Sequence, residues 1–511
     1  MGELRKLTMQ IKNQMNFHKI VLALFVFCGA FLGCSTDEKE APIVVIATPL
    51  VEFSYTPTEI RAGQEVSFNG RFLTGSSAIT SWVWNFGDEA QSSAASQTAA
   101  FTFPNEGVYT VTLIASDKND VSSTVTYDVT VLEPLADPFE ASVVWAYSNE
   151  TAVTNYNDGS SSPAIADDGT VYYLESFGGA ESRLVAVTDH GTTATKKWDY
   201  SPGVNLRNAP TIGPDGSIYL GAWSVDGMRK INALTGAEVW FATTGSGISN
   251  STAAIDAEGN IYVGTRAEGI FSWTAGGTER WKFKEVTGTG YYASPVLSAD
   301  GSTLYALKTN GLLYAINTAD GTAKWNEGMT LTADATGSSL SLDSDGTLYY
   351  TTAEEVVAVT DNGTGGTVKW SSAAEGANSS GVVIGLDGRL YVGSSTGLMA
   401  LDPENGSVVW TYEAAMKESV PAVDAKGNVY FGTSDGRLLV VNQEGELLKQ
   451  LNLTTNEVHS PVIADDGTVY VEGYNGSSIT LFKVAVENGE GPVDSFWPMK
   501  GKNKRNTSFD L

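Results

Sequence analysis

Two periods of apolar residues divide this chain. From about Val51 to Leu132 apolar and polar residues alternate through VEFSY, EVSFNG, SWVWNFGD, TAAFTFP, GVYTVTLIASD and STVTYDVTVL, with Gly, Asn, Ser and Asp between them. A period of two fits a pleated strand with one buried face, so roughly six or seven short strands are predicted here, forming an antiparallel sandwich. Trp82, Trp84 and Phe86 fall on one face of such a strand. Beyond Leu135 a longer period takes over. The motif Asp-x-Gly-x-apolar-Tyr recurs in looser form, with its Gly at Gly169, Gly216, Gly259, Gly301, Gly346, Gly388, Gly427 and Gly467, at spacings of 47, 43, 42, 45, 42, 39 and 40 residues. Its first and last copies share the octapeptide IADDGTVY, at Ile165–Tyr172 and Ile463–Tyr470. A repeat of this length, rich in turn residues and lacking a helical period, predicts four-stranded propeller blades.

The second repeat shows the layout. APTIGPDG gives strand A and a turn, SIYLGAW strand B, GMRKINALTG strand C and a turn, and AEVWFAT strand D. Pro163, Pro210, Pro295, Pro421 and Pro461 stand where strand A begins, a place that tolerates the missing amide hydrogen. Trp198, Trp240, Trp281, Trp325, Trp370 and Trp410 each close a repeat. The seventh repeat offers Leu448 instead, and the eighth has no Trp in phase, whereas Trp145 stands before the first repeat. The N-terminal strand around Trp145 is therefore expected to complete blade eight, making the two octapeptides neighbours and removing the exposed sheet edges. Each Trp is expected to wedge between blades, and burying 150–250 Å² of ring is worth roughly 4–6 kcal/mol as an upper bound.

Both regions resemble known families. SWVWNFGDE followed by FTFPNEGVYTVTLIASD is similar to the polycystic-kidney-disease (PKD) type of immunoglobulin-like domain, with Trp84, Phe86, Gly87, Asp88, Gly107, Tyr109 and Val111 on its pattern. Glu89 stands where that family usually has Gly, which puts the local turn in doubt. The resemblance implies a spacer or a polymer-binding module. INALTGAEVW, INTADGTAKW and LDPENGSVVW, set in phase with DGxxY turns, resemble the repeats of pyrroloquinoline-quinone (PQQ-like) propellers. That superfamily includes quinone-dependent dehydrogenases and non-enzymatic outer-membrane lipoproteins, among them a scaffold of the barrel-assembly machinery.

The N-terminus changes the picture of where the protein works. Lys19, the apolar run Ile20–Phe31 and then Leu32-Gly33-Cys34 have the layout of a signal peptide, and Met15 makes the better start. The ending resembles a bacterial lipoprotein box, which implies cleavage before Cys34 and its lipidation. Ser35 after it looks like outer-membrane sorting, and Asp37-Glu38-Lys39-Glu40 resembles a surface-export tag; a solvated linker is the alternative. Removing residues 1–33 leaves 27 basic and 58 acidic side chains, a net −31. Such a chain is repelled by nucleic acid and by anionic headgroups. The expected organisation is a signal at 1–33, linker 34–48, PKD/Ig-like sandwich 49–134, linker 135–142, eight-bladed propeller 143–485 and basic tail 486–511.

Candidate chemistry is sparse. The mature chain keeps no thiol beyond Cys34, so disulfides and thiol catalysis are excluded, as is the vicinal disulfide that the quinone-enzyme resemblance implies. No cofactor and no metal site is expected: SLDSDGTLY reads as a β-turn rather than a calcium loop, and His190 as a solvated turn residue. What remains is a surface. The D–A and B–C connections of a propeller share one face, which is expected to bring Arg207, Asn208, Trp223, Asn250, Tyr291, Tyr292, Glu418, His459 and Tyr474 to the channel mouth. Aromatics with amides and Arg suit sugar rings or a captured peptide. The tail, with Trp497, Met499, Lys500, Lys502, Lys504 and Arg505, is expected to pack on the acidic ring or to dock a partner. The expectation is an all-β, non-catalytic, lipid-anchored outer-membrane protein, with cell-surface display as one option, binding polysaccharide or protein. An assembly factor facing the periplasm is the alternative; a degenerate quinone dehydrogenase or a polysaccharide lyase is the enzymatic one.

Overall fold

In the computed structural model, the residues described are 47–57, 60–75, 77–88, 93–132, 139–148, 162–175, 182–223, 227–248, 251–284, 290–325, 328–331, 339–377, 380–417 and 419–509. The expected signal, Cys34, Glu89, Asn250 and Glu418 lie outside them. The chain divides into two compact units, Met1–Ala136 and Asp137–Leu511.

The first unit is a two-sheet sandwich. Leu50–Thr56, Glu65–Thr74 and Thr98–Thr102 form one sheet. Ile60–Arg61, Ser122–Leu132, Gly107–Asp117, Ile79–Asn85 and Ser93–Ala94 form the other. The alternation seen in the sequence fills the space between them: Phe53, Phe68, Trp84, Phe86, Phe103, Val111 and Leu113 are buried, with Trp82 packed against the cluster. The buried Trp84 and the half-buried Tyr109 packed against the cluster both find partners for their polar atoms. Trp84 Nε1 donates to the Ser96 carbonyl at 2.7 Å, and Tyr109 Oη to that of Asn105 at 2.9 Å.

The second unit holds eight successive sheets among the described residues, each running A-B-C-D from inside outward; seven have four strands, and the eighth carries an extra two-residue strand, Glu457–Val458. We number the blades 1 to 8 along the chain. Strand A is two residues long throughout, from Ala164–Ile165 in blade 1 to Val462–Ile463 in blade 8. Side chains on strand B are buried on both faces, as in Thr170–Glu175, because each sheet is sandwiched between its neighbours. Blade 8 takes its strand D from the start of the unit. Ala141–Ser148 pairs antiparallel with Ile479–Val486, with Trp145 opposite Lys483 and Tyr147 opposite Leu481. The ring is thus closed by the strand expected from the misplaced Trp145.

The tryptophans weld the blades together. Within a blade each indole leans on the motif Tyr, with centroids 5.7 Å apart for Tyr172–Trp198 and 6.1 Å for Tyr305–Trp325. Across the seam its N–H bonds to the next blade: Trp198 to the Ala233 carbonyl, Trp240 to Ala275, Trp281 to Thr318, Trp370 to Pro403 and Trp410 to Gln443. Trp325 and Trp145 donate instead to the carboxylates of Asp361 and Asp189. The ring lies flat against the next turn. At Gly445, with φ +83°, a Cβ would sit 2.7 Å from the Trp410 ring, so both the backbone angle and the close approach require glycine.

The blade 7–8 seam departs from this scheme and corrects the sequence reading. Trp410 pairs with Ala400, and the matching partner of Val440 is Lys449, not Leu448, which occupies the bulge between Lys449 and Leu447. Lys449 Nζ reaches Glu140 Oε2 at 3.1 Å. The aromatic partner of Tyr430 is Phe139, delivered from just before the closing strand, with centroids 6.1 Å apart.

The basic tail lines the inner strands. Amides of Ile384 and Val423 donate to the Trp497 and Pro498 carbonyls, and those of Ile165, Ile212 and Ile255 to Lys504, Arg505 and Thr507. These bonds lie where strand A runs into the A–B turn. Lys504 Nζ lies 2.5 Å from Asp465 and 3.7 Å from Asp167, so one lysine bridges the two octapeptides across the closure.

Candidate functional site

The opposite end of the ring carries the D–A and B–C connections. Four side chains converge there from blades 1 to 4. Arg207 lies on the connection from blade 1 to blade 2, and Trp223 follows strand B of blade 2 (Ile218–Gly221). Arg266 follows strand B of blade 3 (Ile261–Gly264), and Tyr292 leads into blade 4. The Arg207 guanidinium carbon stands 4.0 Å from the Trp223 ring centroid, and that of Arg266 4.4 Å from it. Tyr292 lies 6.2 Å from Trp223, and its hydroxyl is 3.4 Å from Arg266 Nε. All four are partly exposed.

Backbone bonds hold this cluster in place. The Trp223 amide donates to the Asn205 carbonyl at 2.8 Å, the Arg266 amide to that of Gly247 at 2.9 Å, and the Tyr291 amide to that of Thr265 at 2.9 Å. Each bond ties a B–C loop to a neighbouring D–A segment, so the side chains are presented from a stiff frame. Glu268 lies two residues beyond Arg266. Lys282 and Lys284 donate to its carboxylate at 2.8 and 3.0 Å and hold its pKa down to about 2, so that carboxylate is engaged elsewhere. Among the described residues Arg266 makes no ion pair with a carboxylate.

The other expected mouth residues are used differently. Asn208 is buried and donates from Nδ2 to the Ser251 carbonyl at 3.2 Å, joining blades 2 and 3. Tyr291 is buried in the core between blades 3 and 4, beside Tyr314 and under Lys308. His459 is buried too; its amide bonds to Glu472, its carbonyl accepts from Ser419 Oγ at 3.1 Å, and its Nδ1 lies 3.7 Å from Glu472 Oε2. Tyr474 is half-buried, opposite Glu457 at the edge of blade 8. Arg207, Trp223 and Tyr292 are therefore brought together. Arg266, absent from the sequence expectation, is the fourth member. A signal for it existed: Arg266 follows Gly264 by two residues, as Trp223 follows Gly221, so the repeat gives them the same place.

The expected calcium-loop lookalike is a turn, closed by the Gly346 amide to the Asp343 carbonyl at 3.0 Å. His190 is exposed and contacts Thr195 Oγ1 at 2.8 Å. No group of His, Cys, Asp and Glu suited to a metal occurs among the described residues.

An all-β ring of PQQ-like blades, preceded by an Ig-like sandwich, defines the class. A family model described as a PKD domain matches residues 46–131. One described as outer membrane protein assembly factor BamB matches residues 224–363 and 330–498, more than half the chain. The chain belongs to that BamB-type family of propeller repeats. It is 26% identical over 229 residues to the outer membrane protein assembly factor BamB of Yersinia pestis, covering 40% of this chain and 58% of that protein. It is 30% identical over 167 residues to the protein Rv3035 of Mycobacterium tuberculosis, covering 30% and 40%. The matched region thus spans roughly half the length of these relatives. The crystal structure of BamB from Moraxella catarrhalis superposes with a TM-score of 0.52 at 17% identity, over 67% of this chain and 97% of that one, a likeness of fold.

Proposed function

We propose that this protein is a non-catalytic scaffold of the bacterial outer membrane, of the assembly-factor type, which docks an acidic segment of a partner protein on the D–A/B–C end of its ring. The observation that carries the reading is the gathering of two guanidiniums over one indole in a chain of net charge −28. Guanidiniums presented side by side offer a carboxylate-bearing segment forked donors for bidentate bonds. Arg, Trp and Tyr are also the residue types that anchor protein interfaces. Family membership supports the assembly-factor reading over a polysaccharide-binding one, and so does the cluster, because the guanidiniums compete for the ring faces on which a sugar would stack. The N-terminal lipid at Cys34 would hold the scaffold at the membrane.

Calorimetric titration with a Glu/Asp-rich peptide and with neutral oligosaccharides tests this reading. Saturable peptide binding is expected, weakening with salt and falling at least tenfold in the Arg207→Ala/Arg266→Ala double variant. Binding of oligosaccharide alone, or peptide binding indifferent to the double substitution, would overturn it.

A further inference from the structure

We infer that the seam between blades 7 and 8 is a binding site for a small planar heteroaromatic molecule of the indole type. Each of the other seven seams is filled by an indole whose N–H bonds to the following blade. Here the register places Lys449 in the Trp position, and its ammonium is drawn away to Glu140. Phe139 supplies a single six-membered ring over Tyr430 where the other seams have a bicyclic one. A cavity of about 170 Å³ is left beside it.

The lining of that cavity suits a flat ring with a polar edge. Phe139, Leu448 and Val486 provide apolar wall, and Asn428, Asn442 and Asn488 bring amide groups. Lys426 Nζ donates to the Asn488 carbonyl at 2.6 Å, so a cation bonds to the blade 8 turn here, as indole N–H groups do at the other seams. Asn428 is fixed by its bond to Asp424 Oδ2 at 2.8 Å, and Asn442 by the amides of Glu444 and Glu446. An apolar cavity of roughly 150 Å³ accepts benzene. The larger, partly polar space here matches a fused ring carrying one N–H donor. The other seams of the same molecule show that such a ring fits between blades of this geometry.

The test uses the full chain and free indole, followed by saturation-transfer NMR and by the thermal unfolding midpoint. Saturable binding is expected with a dissociation constant of about 0.1–10 mM, as suits a ligand of this size. Lys449→Trp supplies the missing indole from the chain itself. It should raise the unfolding midpoint and weaken indole binding at least tenfold. Leu448→Phe, which narrows the cavity from its wall, should weaken binding as well and serves if Lys449→Trp fails to fold. Val239→Ala, on the exposed outer strand Glu238–Thr243 of blade 2 and remote from the seam, should leave binding unchanged. Absence of saturable binding, undiminished binding in the folded seam variants, or loss of binding in Val239→Ala would each overturn the inference.

Discussion

Asp189 collects four hydrogen bonds at the point where the ring meets itself. Its carboxylate accepts from Trp145 Nε1 at 3.0 Å, Tyr470 Oη at 2.7 Å, Lys483 Nζ at 2.6 Å and the Gly191 amide at 2.8 Å. Burial disfavours its charge, but the bonds from Lys483, Tyr470, Trp145 and Gly191 outweigh that, and its pKa lies below the ordinary 3.8. A carboxyl lowered by folding contributes stability above its unfolded pKa and loses it as pH falls through the folded value. Asp189→Ala should therefore cost about 3 kcal/mol at pH 7, since it takes the carboxylate from a half-buried lysine and strands two ring donors. The gap to the unsubstituted protein should shrink as pH drops below 4; urea titrations across that range read it. Asp361 repeats the arrangement at the blade 4–5 seam, with Tyr305, Trp325 and Gly363 as donors and Lys324 at 3.7 Å. Its pKa is lowered in the same sense, so Asp361→Ala should show the same pH trend. The two Asp residues stand in the similar turns VTDHGTT and VTDNGTG, but that each caps a Trp of the preceding blade has no local sign, because that contact crosses a seam.

Among the elements, those with a local signal were legible and those that borrow residues were not. The DGxxY turn and strand B were fixed by period and composition alone. Strand D of blade 7 was misread by one residue, since the bulge that precedes each seam residue leaves no mark in GELLKQLN. Phe139 escaped notice for a related reason: its partner Tyr430 lies far off in sequence, and only the closed ring brings them together. Phe139→Ala should cost about 3–4 kcal/mol, the usual loss for a buried phenyl, and guanidinium unfolding measures it. The tail was expected to pack on the ring, and its bonds to five strand-A amides explain why so polar a segment is held. Trp497 and Met499 are buried, and burying two such side chains is worth about 4–6 kcal/mol as an upper bound. Truncation after Gly491 should lower the unfolding midpoint accordingly, whereas Lys504→Ala, which removes only part-exposed ion pairs, should shift it far less.

At the scale of the molecule, closure decides how much of the site could be read in advance. The phase of Trp145 indicated which strand zips onto blade 8, and the repeat order then indicated which loops share an end. That reasoning brought Arg207, Trp223 and Tyr292 to one place. It could not say that Asn208, Tyr291 and His459 turn inward, because strand-end residues of this spacing choose between solvent and seam by contacts with neighbouring blades. The closing strand makes the ring's integrity testable. A chain beginning at residue 138 keeps Phe139 and Ala141–Ser148, so it should remain a folded monomer. A chain beginning at residue 149 strips the partner from Ile479–Val486 and leaves the Asp189 carboxylate without Trp145. A bare edge of eight residues, rich in β-branched and aromatic side chains, invites pairing with another copy. Light scattering behind size exclusion should show the shorter chain associating as concentration rises, and adding a peptide of residues 139–148 should return it to monomer. A shorter chain that stays monomeric and as stable as the longer one would mean that the ring holds without its closing strand.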